Sequence, residues 1–297
     1  MNVDLLATLK LAKSAQRENR WVGLAKRPNR IGGPYLLRRL GIEAPRLAET
    51  FFGRRQNVVL PDMVSVNIWR YGYFEEDVAF YLLASLRPGG TFIDVGGHFG
   101  FFSMLGAELI GADGTVITFE PMPKTREILA GNMAKRSAPC HHHLIPAAAG
   151  REAGTLTFKD FGLVGSAFAT SEAERSGAFT PRGDVEVAMR PIDQIVGDLA
   201  LDRLDLIKID AENAEADVLA GAECTIESLK PALILETGDT EGSEAHPLIE
   251  SLIERGYRVF EFEDFALKPH IVADRYGYQN LLLVHTERLA EVDGTRG

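Results

Sequence analysis

Two cysteines in 297 residues, Cys140 and Cys224, stand far apart with no paired spacing around either. That scarcity excludes a disulfide-built fold and a cysteine-ligated structural metal, and it points to a reducing compartment. Long apolar runs are missing as well: no stretch approaches the ~18 residues that a membrane-spanning helix needs. The N-terminus, MNVDLLATLKLAKSAQ, has neither a continuous apolar centre nor a cleavage-like site, so it does not read as a secretory leader. A cytoplasmic location is the expectation. There is no overall excess of positive charge, since 32 Lys and Arg against 42 Asp and Glu give a formal net −10, which argues against a nucleic-acid partner. Internal repeats and low-complexity tracts are also lacking, so solenoid architectures are excluded.

The charge that is present is unevenly spread. Residues 1–55 hold twelve lysines and arginines against four acids, a net +8, which leaves a net −18 for the remainder. Residues 3–20 have the spacing of a basic amphipathic helix, and Pro28, Gly32, Gly33 and Pro34 then break the chain before a second basic helix over Tyr35–Leu40. The simplest account of this arm is a solvated face docked on the acidic body; contact with an anionic membrane surface is the alternative. From Val58 the run VVLPDMVSVNIW alternates like strand, with Pro61 and Asp62 marking a hairpin-like turn. We divide the chain into a basic helical extension, residues 1–70, and one catalytic-type domain, residues 71–297.

That domain alternates strands with helices. A helical pattern over Glu75–Leu86 is closed by Arg87-Pro88-Gly89-Gly90 and delivers the chain into TFIDVGGHFGFFS, Thr91–Ser103. This stretch reads as a buried strand ending in an acid, a glycine turn and a helix start. Further strands are expected at Thr115–Phe119, His141–Ala148, Leu204–Ile209, Pro231–Leu235, Tyr257–Glu261 and Gln279–His285, with helices over Pro123–Lys135, Pro191–Val196, Ala214–Leu229 and His246–Arg255. Thr155–Lys159 and Val185–Arg190 alternate like a hairpin pair around a long Gly/Ser/Ala-rich loop, Gly162–Gly183, of the kind that serves as a lid. The fold class is therefore α/β, a doubly wound and mostly parallel sheet.

The glycine turn decides between ligands. A dinucleotide fingerprint places G-x-G-x-x-G directly after the strand, to admit a pyrophosphate. Here the run is D-V-G-G-H-F-G, led by Asp94, whose carboxylate would repel a pyrophosphate but suits the cationic ends of S-adenosylmethionine. Glu120, at the end of the next strand, stands where an acid accepts both ribose hydroxyls. An NAD(P)-dependent Rossmann oxidoreductase and a non-catalytic S-adenosylmethionine-binding module remain the alternatives.

FIDVGGHFGFFS, VITFEP, LDLIKIDAENAEADVLAGA, ALILE and the closing QNLLLV together resemble the FkbM family of S-adenosylmethionine-dependent methyltransferases over about residues 73–285. The resemblance implies a seven-strand class I methyltransferase sheet and O-methylation of hydroxyls on sugars, glycans or natural products. Carried over by position, Asp94, Gly96, Gly100 and Ser103 line the methionine end of the cofactor and Glu120 the ribose. Glu75 reaches the cofactor as similar acids do in the family, and Gly97, His98, Pro121 and Ala148 complete the cofactor set. Two positions depart from the usual pattern: Gly97-His98 where Ala-Asn is usual, and Asn213 where glycine is usual after Glu212.

Methyl transfer to an alcohol needs a group that takes its proton. Asp210 and Glu236, at the ends of the fourth and fifth strands, and His98 in the glycine turn are the catalytic candidates. Glu215 reads as a first-turn acid favouring its helix dipole. The aromatics Trp69, Tyr71, Tyr73 and Phe74 are packing residues or cover the cofactor or substrate. No metal is expected, because the adjacent His141, His142 and His143 alternate faces on a strand and cannot converge on one ion. The expected partner is a small-molecule or glycan substrate, and self-association is compatible with everything above.

Overall fold

A computed structural model describes all residues except 18–27, 136–139, 169–179, 212, 239–244 and 295–297. Helices α1 (Val3–Arg17) and α2 (Pro28–Leu40) precede a hairpin of β1 (Ala44–Glu49) and β2 (Arg55–Leu60). α2 runs through Gly32, Gly33 and Pro34, which were expected to interrupt it. Next come α3 (Met63–Tyr71) and α4 (Glu76–Ser85). The strand-like reading of Val58–Trp69 is half right. β2 ends at Leu60, and Asp62 is the N-cap of α3, its Oδ2 accepting the Ser65 N–H at 2.8 Å. A local cap thus overrides an alternating apolar pattern.

The core units follow as β3 (Thr91–Val95), α5 (Phe101–Ile110), β4 (Thr115–Phe119), α6 (Pro123–Met133) and β5 (His141–Ile145). Then come β6 (Ala147–Ala149), β7 (Gly154–Asp160), β8 (Gly183–Arg190) and α7 (Ile192–Asp198). The chain ends with β9 (Leu206–Ile209), α8 (Glu215–Ala220), α9 (Glu223–Leu229), β10 (Ala232–Thr237), α10 (Ala245–Glu254), β11 (Tyr257–Glu263), β12 (Ala266–Pro269) and β13 (Gln279–His285). The expected third strand is therefore two: β5 stays in the main sheet, while β6 joins β8 and β7 in a separate three-stranded sheet. The expected β7–β8 hairpin is present, pairing Thr155 with Ala188 and Lys159 with Asp184; the middle of its loop lies outside the described residues.

The main sheet runs β5-β4-β3-β9-β10-β13-β11-β12. Its first five strands are parallel, and β13 is antiparallel to both neighbours. This is the seven-strand order the resemblance implies, with an eighth strand, β12, on the edge. β12 is reached through Asp264 and Phe265, both at positive φ (47° and 62°) without glycine. The sequence lacks the usual turn signal there. The Phe265 ring, 5.4 Å from Phe262 and 6.3 Å from Phe80, holds the turn by tertiary contact instead.

Alternate side chains of the central strands feed two cores. Phe92, Val116, Leu206, Ile234 and Leu282 pack with α4 and α5 on one face. Ile93, Ile117, Ile207, Leu233 and Leu281 pack with α7, α9 and α10 on the other. Near-continuous apolar strands are what burial on both faces requires. Residues on both sides of the 70/71 boundary share the first core, since Val58 and Ile68 pack there beside Leu82 and Leu105. The order of strands reverses between β3 and β9, and a crevice opens at their carboxyl ends.

Candidate functional site

A cleft of about 840 Å³ occupies that crevice. One wall is the turn after β3. Gly96 has φ +76°, and a Cβ built there would stand 2.3 Å from the Asp210 carbonyl oxygen, so only glycine lets β3 pass this close to the end of β9. At Gly97 an added Cβ would meet the Thr118 methyl at 2.2 Å. The alanine usual at this position is thus incompatible with Thr118 as it stands here, and the glycine and the threonine belong together. His98 follows at φ 48° and gives its backbone N–H to Glu120 Oε2 at 2.9 Å, while Glu120 Oε1 accepts the Met122 N–H at 2.9 Å. Each Glu120 oxygen keeps acceptor capacity beyond its one backbone bond. Burial pushes this carboxyl up to about 8, against the lowering effect of those two N–H groups.

Beside this turn, charged side chains gather around Lys208, which is 2% exposed in β9, the strand next to β3. Its Nζ lies 2.9 Å from Asp210 Oδ2 and 3.9 Å from Asp94 Oδ1, and 5.3 Å above the Phe102 ring. Burial alone would lower its pKa. Asp210, Asp94 and Glu75 outweigh that and hold the ammonium above its usual range, so it stays charged. Glu75, at φ 42° just before α4, is pushed up to about 7 by burial and by the Asp210 charge, with Lys208 opposing. Tyr278 donates its O–H to Glu75 Oε1 at 2.7 Å. Desolvation about its hydroxyl and the carboxylates of Glu75 and Glu236 hold the phenol of this largely exposed residue above the ordinary range.

Nine of the residues expected from sequence line the cleft: Glu75, Gly96, Gly97, His98, Glu120, Pro121, Ala148, Asp210 and Glu236. Asp94, Gly100 and Ser103 do not; they form the layer behind it. Asp94 is 1% exposed, and its Oδ2 accepts the Ser103 hydroxyl at 2.5 Å, because β3 turns this side chain towards α5. Gly100 packs on Leu129. The Asp94–Ser103 pair anchors the strand end, and Asp94 shares Lys208 with Asp210. His98 lies in the cleft with its ring 3.9 Å from that of Phe99, and burial lowers its pKa, so the imidazole is neutral. Of the four aromatics before α4, Phe74 lines the cleft. Tyr73 is buried with its hydroxyl on Gln16, and Trp69 carries the Arg30 guanidinium 5.4 Å over its ring.

Other features were missed from sequence. Lys208 and Tyr278 are the most important, and a lone lysine inside the apolar run LDLIKI was its own signal, since a buried cation demands carboxylate partners. Gln56 sits at the cofactor wall, its Nε2 donating to the Phe99 carbonyl at 3.1 Å. Leu156 and Phe158 bring the small sheet over the cleft as an apolar cover. Glu215, expected to serve its helix dipole, uses Oε1 to accept the N–H groups of Ala211 (3.0 Å) and Asn213 (3.2 Å) and so fixes the turn after β9. Asn213 has φ +80°, which explains why glycine is usual there and why asparagine, tolerant of that region, replaces it. Glu212 lies outside the described residues.

Comparison with known proteins bears on this cleft. The model of the Methyltransferase FkbM domain matches residues 94–259. The chain is 26% identical over 239 residues, 69% of its length, to the AMB antimetabolite synthetase AmbE of Pseudomonas aeruginosa, of which it spans 11%. It is 26% identical over 198 residues, 59% of its length, to Methyltransferase sdnD of Sordaria araneosa, of which it spans 75%. The crystal structure of methyltransferase FkbM from Methylobacillus flagellatus KT superposes with a TM-score of 0.40 and 16% identity, over 76% of this chain and 56% of that one. Because the domain model spans more than half of its residues, the chain belongs to the FkbM methyltransferase family, with S-adenosylmethionine as its cofactor.

Proposed function

We propose that the protein is an O-methyltransferase of the cytoplasm, acting on a hydroxyl of a sugar, glycan or natural product. The reading rests chiefly on the carboxylates of Asp210 and Glu75 gathered about Lys208 at the end of β9, beside the glycine turn and in the same cleft as Glu236. The residues present fit the cofactor. Gly96 and Gly97 let the turn pack tightly on the end of β9 and on Thr118 while it lines the cleft, and Glu120 offers two carboxylate oxygens to the ribose hydroxyls. When bound, S-adenosylmethionine supplies an electrophilic methyl group on a sulfonium.

The chain's own residues do the rest. Gly96, Gly97 and Glu120 hold the cofactor, assisted by Pro121, Ala148 and Gln56. Asp210, fixed by Lys208, accepts the hydrogen bond of the acceptor hydroxyl and orients its oxygen. As the oxygen attacks, its proton passes to the carboxylates beside it, of which Glu75, its pKa raised to about 7, suits work near neutrality. Neutral His98 stays with the cofactor wall through its backbone bond to Glu120 rather than serving as base. Leu156 and Phe158 keep water from the acceptor.

The test is transfer of labelled methyl from S-adenosylmethionine to a panel of saccharides and polyol natural products. The expected result is acceptor-dependent label that resists mild base hydrolysis, as an ether does, and that Asp210→Asn reduces at least ~100-fold. Label found on nitrogen or carbon acceptors alone would overturn the oxygen assignment.

A further inference from the structure

We propose that α2 and the chain beside it form a docking surface for an anionic lipid bilayer, placed at the mouth of the cleft. Half of the large apolar side chains exposed among the described residues fall between positions 35 and 63: Tyr35, Leu36, Leu40, Ile42, Leu47 and Met63, each 44–71% exposed. On α2, Tyr35 and Leu36 stand one turn before Arg39 and Leu40, so one exposed helix face mixes aliphatic, phenolic and guanidinium groups. Arg38 and Arg39 are exposed, and neither has a carboxylate at ion-pair distance among the described residues. Over residues 28–55 six arginines face two glutamates, and one of those, Glu43, is already paired with Arg182.

The helix is fixed to the catalytic body. Arg70 of α3 donates to the carbonyl oxygens of Arg30 (3.2 Å) and Ile31 (2.8 Å). Met63, the first residue of α3, is both 51% exposed and part of the cleft lining, so the patch reaches the cleft itself.

The mixture of groups selects the partner. Aliphatic side chains interleaved with arginines suit a headgroup–acyl boundary, which takes both kinds at once. A nucleic acid would leave Leu36, Leu40 and Ile42 without favourable contact, and Tyr35 alone offers a ring on which a base could stack. Charge also fixes the orientation. Residues 28–55 carry six arginines against two glutamates while the whole chain is net −10, so an anionic surface attracts this face in preference to the rest. The bilayer would then face the cleft mouth, from which a lipid-borne or amphipathic acceptor enters.

The experiment is vesicle flotation of the full chain with neutral phosphatidylcholine vesicles and with vesicles containing about one third phosphatidylglycerol. The protein should float with the anionic vesicles and not with the neutral ones, and high salt should release it. Leu36→Asp/Leu40→Asp and Arg38→Glu/Arg39→Glu should each cut the bound fraction about tenfold or more. All four sites are exposed, so calorimetric binding of S-adenosylhomocysteine should be unchanged in both variants and serves as the check on folding. Absence of flotation with anionic vesicles overturns the proposal. So does a dimer in light scattering that Leu40→Asp dissociates, which would assign the face to a second copy of the chain. The readout involves no methyl transfer, so its failure leaves the reaction untouched.

Discussion

The glycine-turn side of the cleft is made by backbone: Gly96, where an added Cβ would stand 2.3 Å from the Asp210 carbonyl oxygen, and two main-chain N–H groups that hold Glu120. The acceptor wall is made by side chains, with Lys208 surrounded by Asp94, Asp210 and Glu75, and Tyr278 closing over Glu75. The first arrangement tolerates almost no substitution but performs one task, binding. The second is a balance of charges that a proton can shift, as the proposed reaction on a hydroxyl would need. Three non-glycine residues at positive φ, Glu75, His98 and Asn213, line the cleft, so backbone strain gathers where the two walls meet.

The comparison can be broken first at the backbone. Gly96→Ala should abolish cofactor binding in calorimetry and lower stability by ~2–4 kcal/mol in denaturant unfolding, since both the φ and the contact with Asp210 forbid a Cβ. On the other wall, Lys208→Met should cost ~3–5 kcal/mol at neutral pH, because carboxylates are left together without their cation. Their folded-state pKa values then rise further. A carboxyl raised in the folded state favours folding when protonated, so the deficit should be largest above neutrality and shrink as pH falls towards the ordinary carboxylate range. A deficit independent of pH would show that Lys208 acts through packing alone.

Smaller changes sharpen the contrast. Glu75→Gln should lower kcat ~10–100-fold and remove a limb of the pH–rate profile near 7, because activity in the native protein rises as Glu75 loses its proton. Tyr278→Phe should reduce kcat only a few-fold. Since the Tyr278 hydroxyl lowers the Glu75 pKa, its removal should move that limb to higher pH. An unmoved limb would separate Glu75 from the rate.

How much of this was legible beforehand follows the same division. The glycine-turn side is local: strand, glycine turn and acid lie in TFIDVGGHFGFFS and VITFEP, and the mostly parallel, doubly wound class of the sheet followed from alternating elements. Asp94 and Ser103 were placed in contact with the cofactor, yet their direction depends on α5 and Lys208, which a linear reading does not supply. The acceptor wall is assembled from Glu75, Lys208, Glu236 and Tyr278, on four separate elements. Tyr278 stands over 200 residues from its partner Glu75. α3 was misread because alternation in VVLPDMVSVNIW outweighed the Asp62 cap, and β12 because aromatic packing, not turn chemistry, holds residues 264–265.

The central claim is that the glycine turn and Glu120 together bind S-adenosylmethionine by its adenosine half. Isothermal titration with S-adenosylhomocysteine, in the native chain and in Glu120→Ala, tests it most directly. The native chain should bind in the micromolar range, with affinity rising as pH passes through about 8 and Glu120 ionises, and Glu120→Ala should weaken binding by about 100-fold. Equal affinity in the two proteins, or affinity that falls with rising pH, would contradict the account.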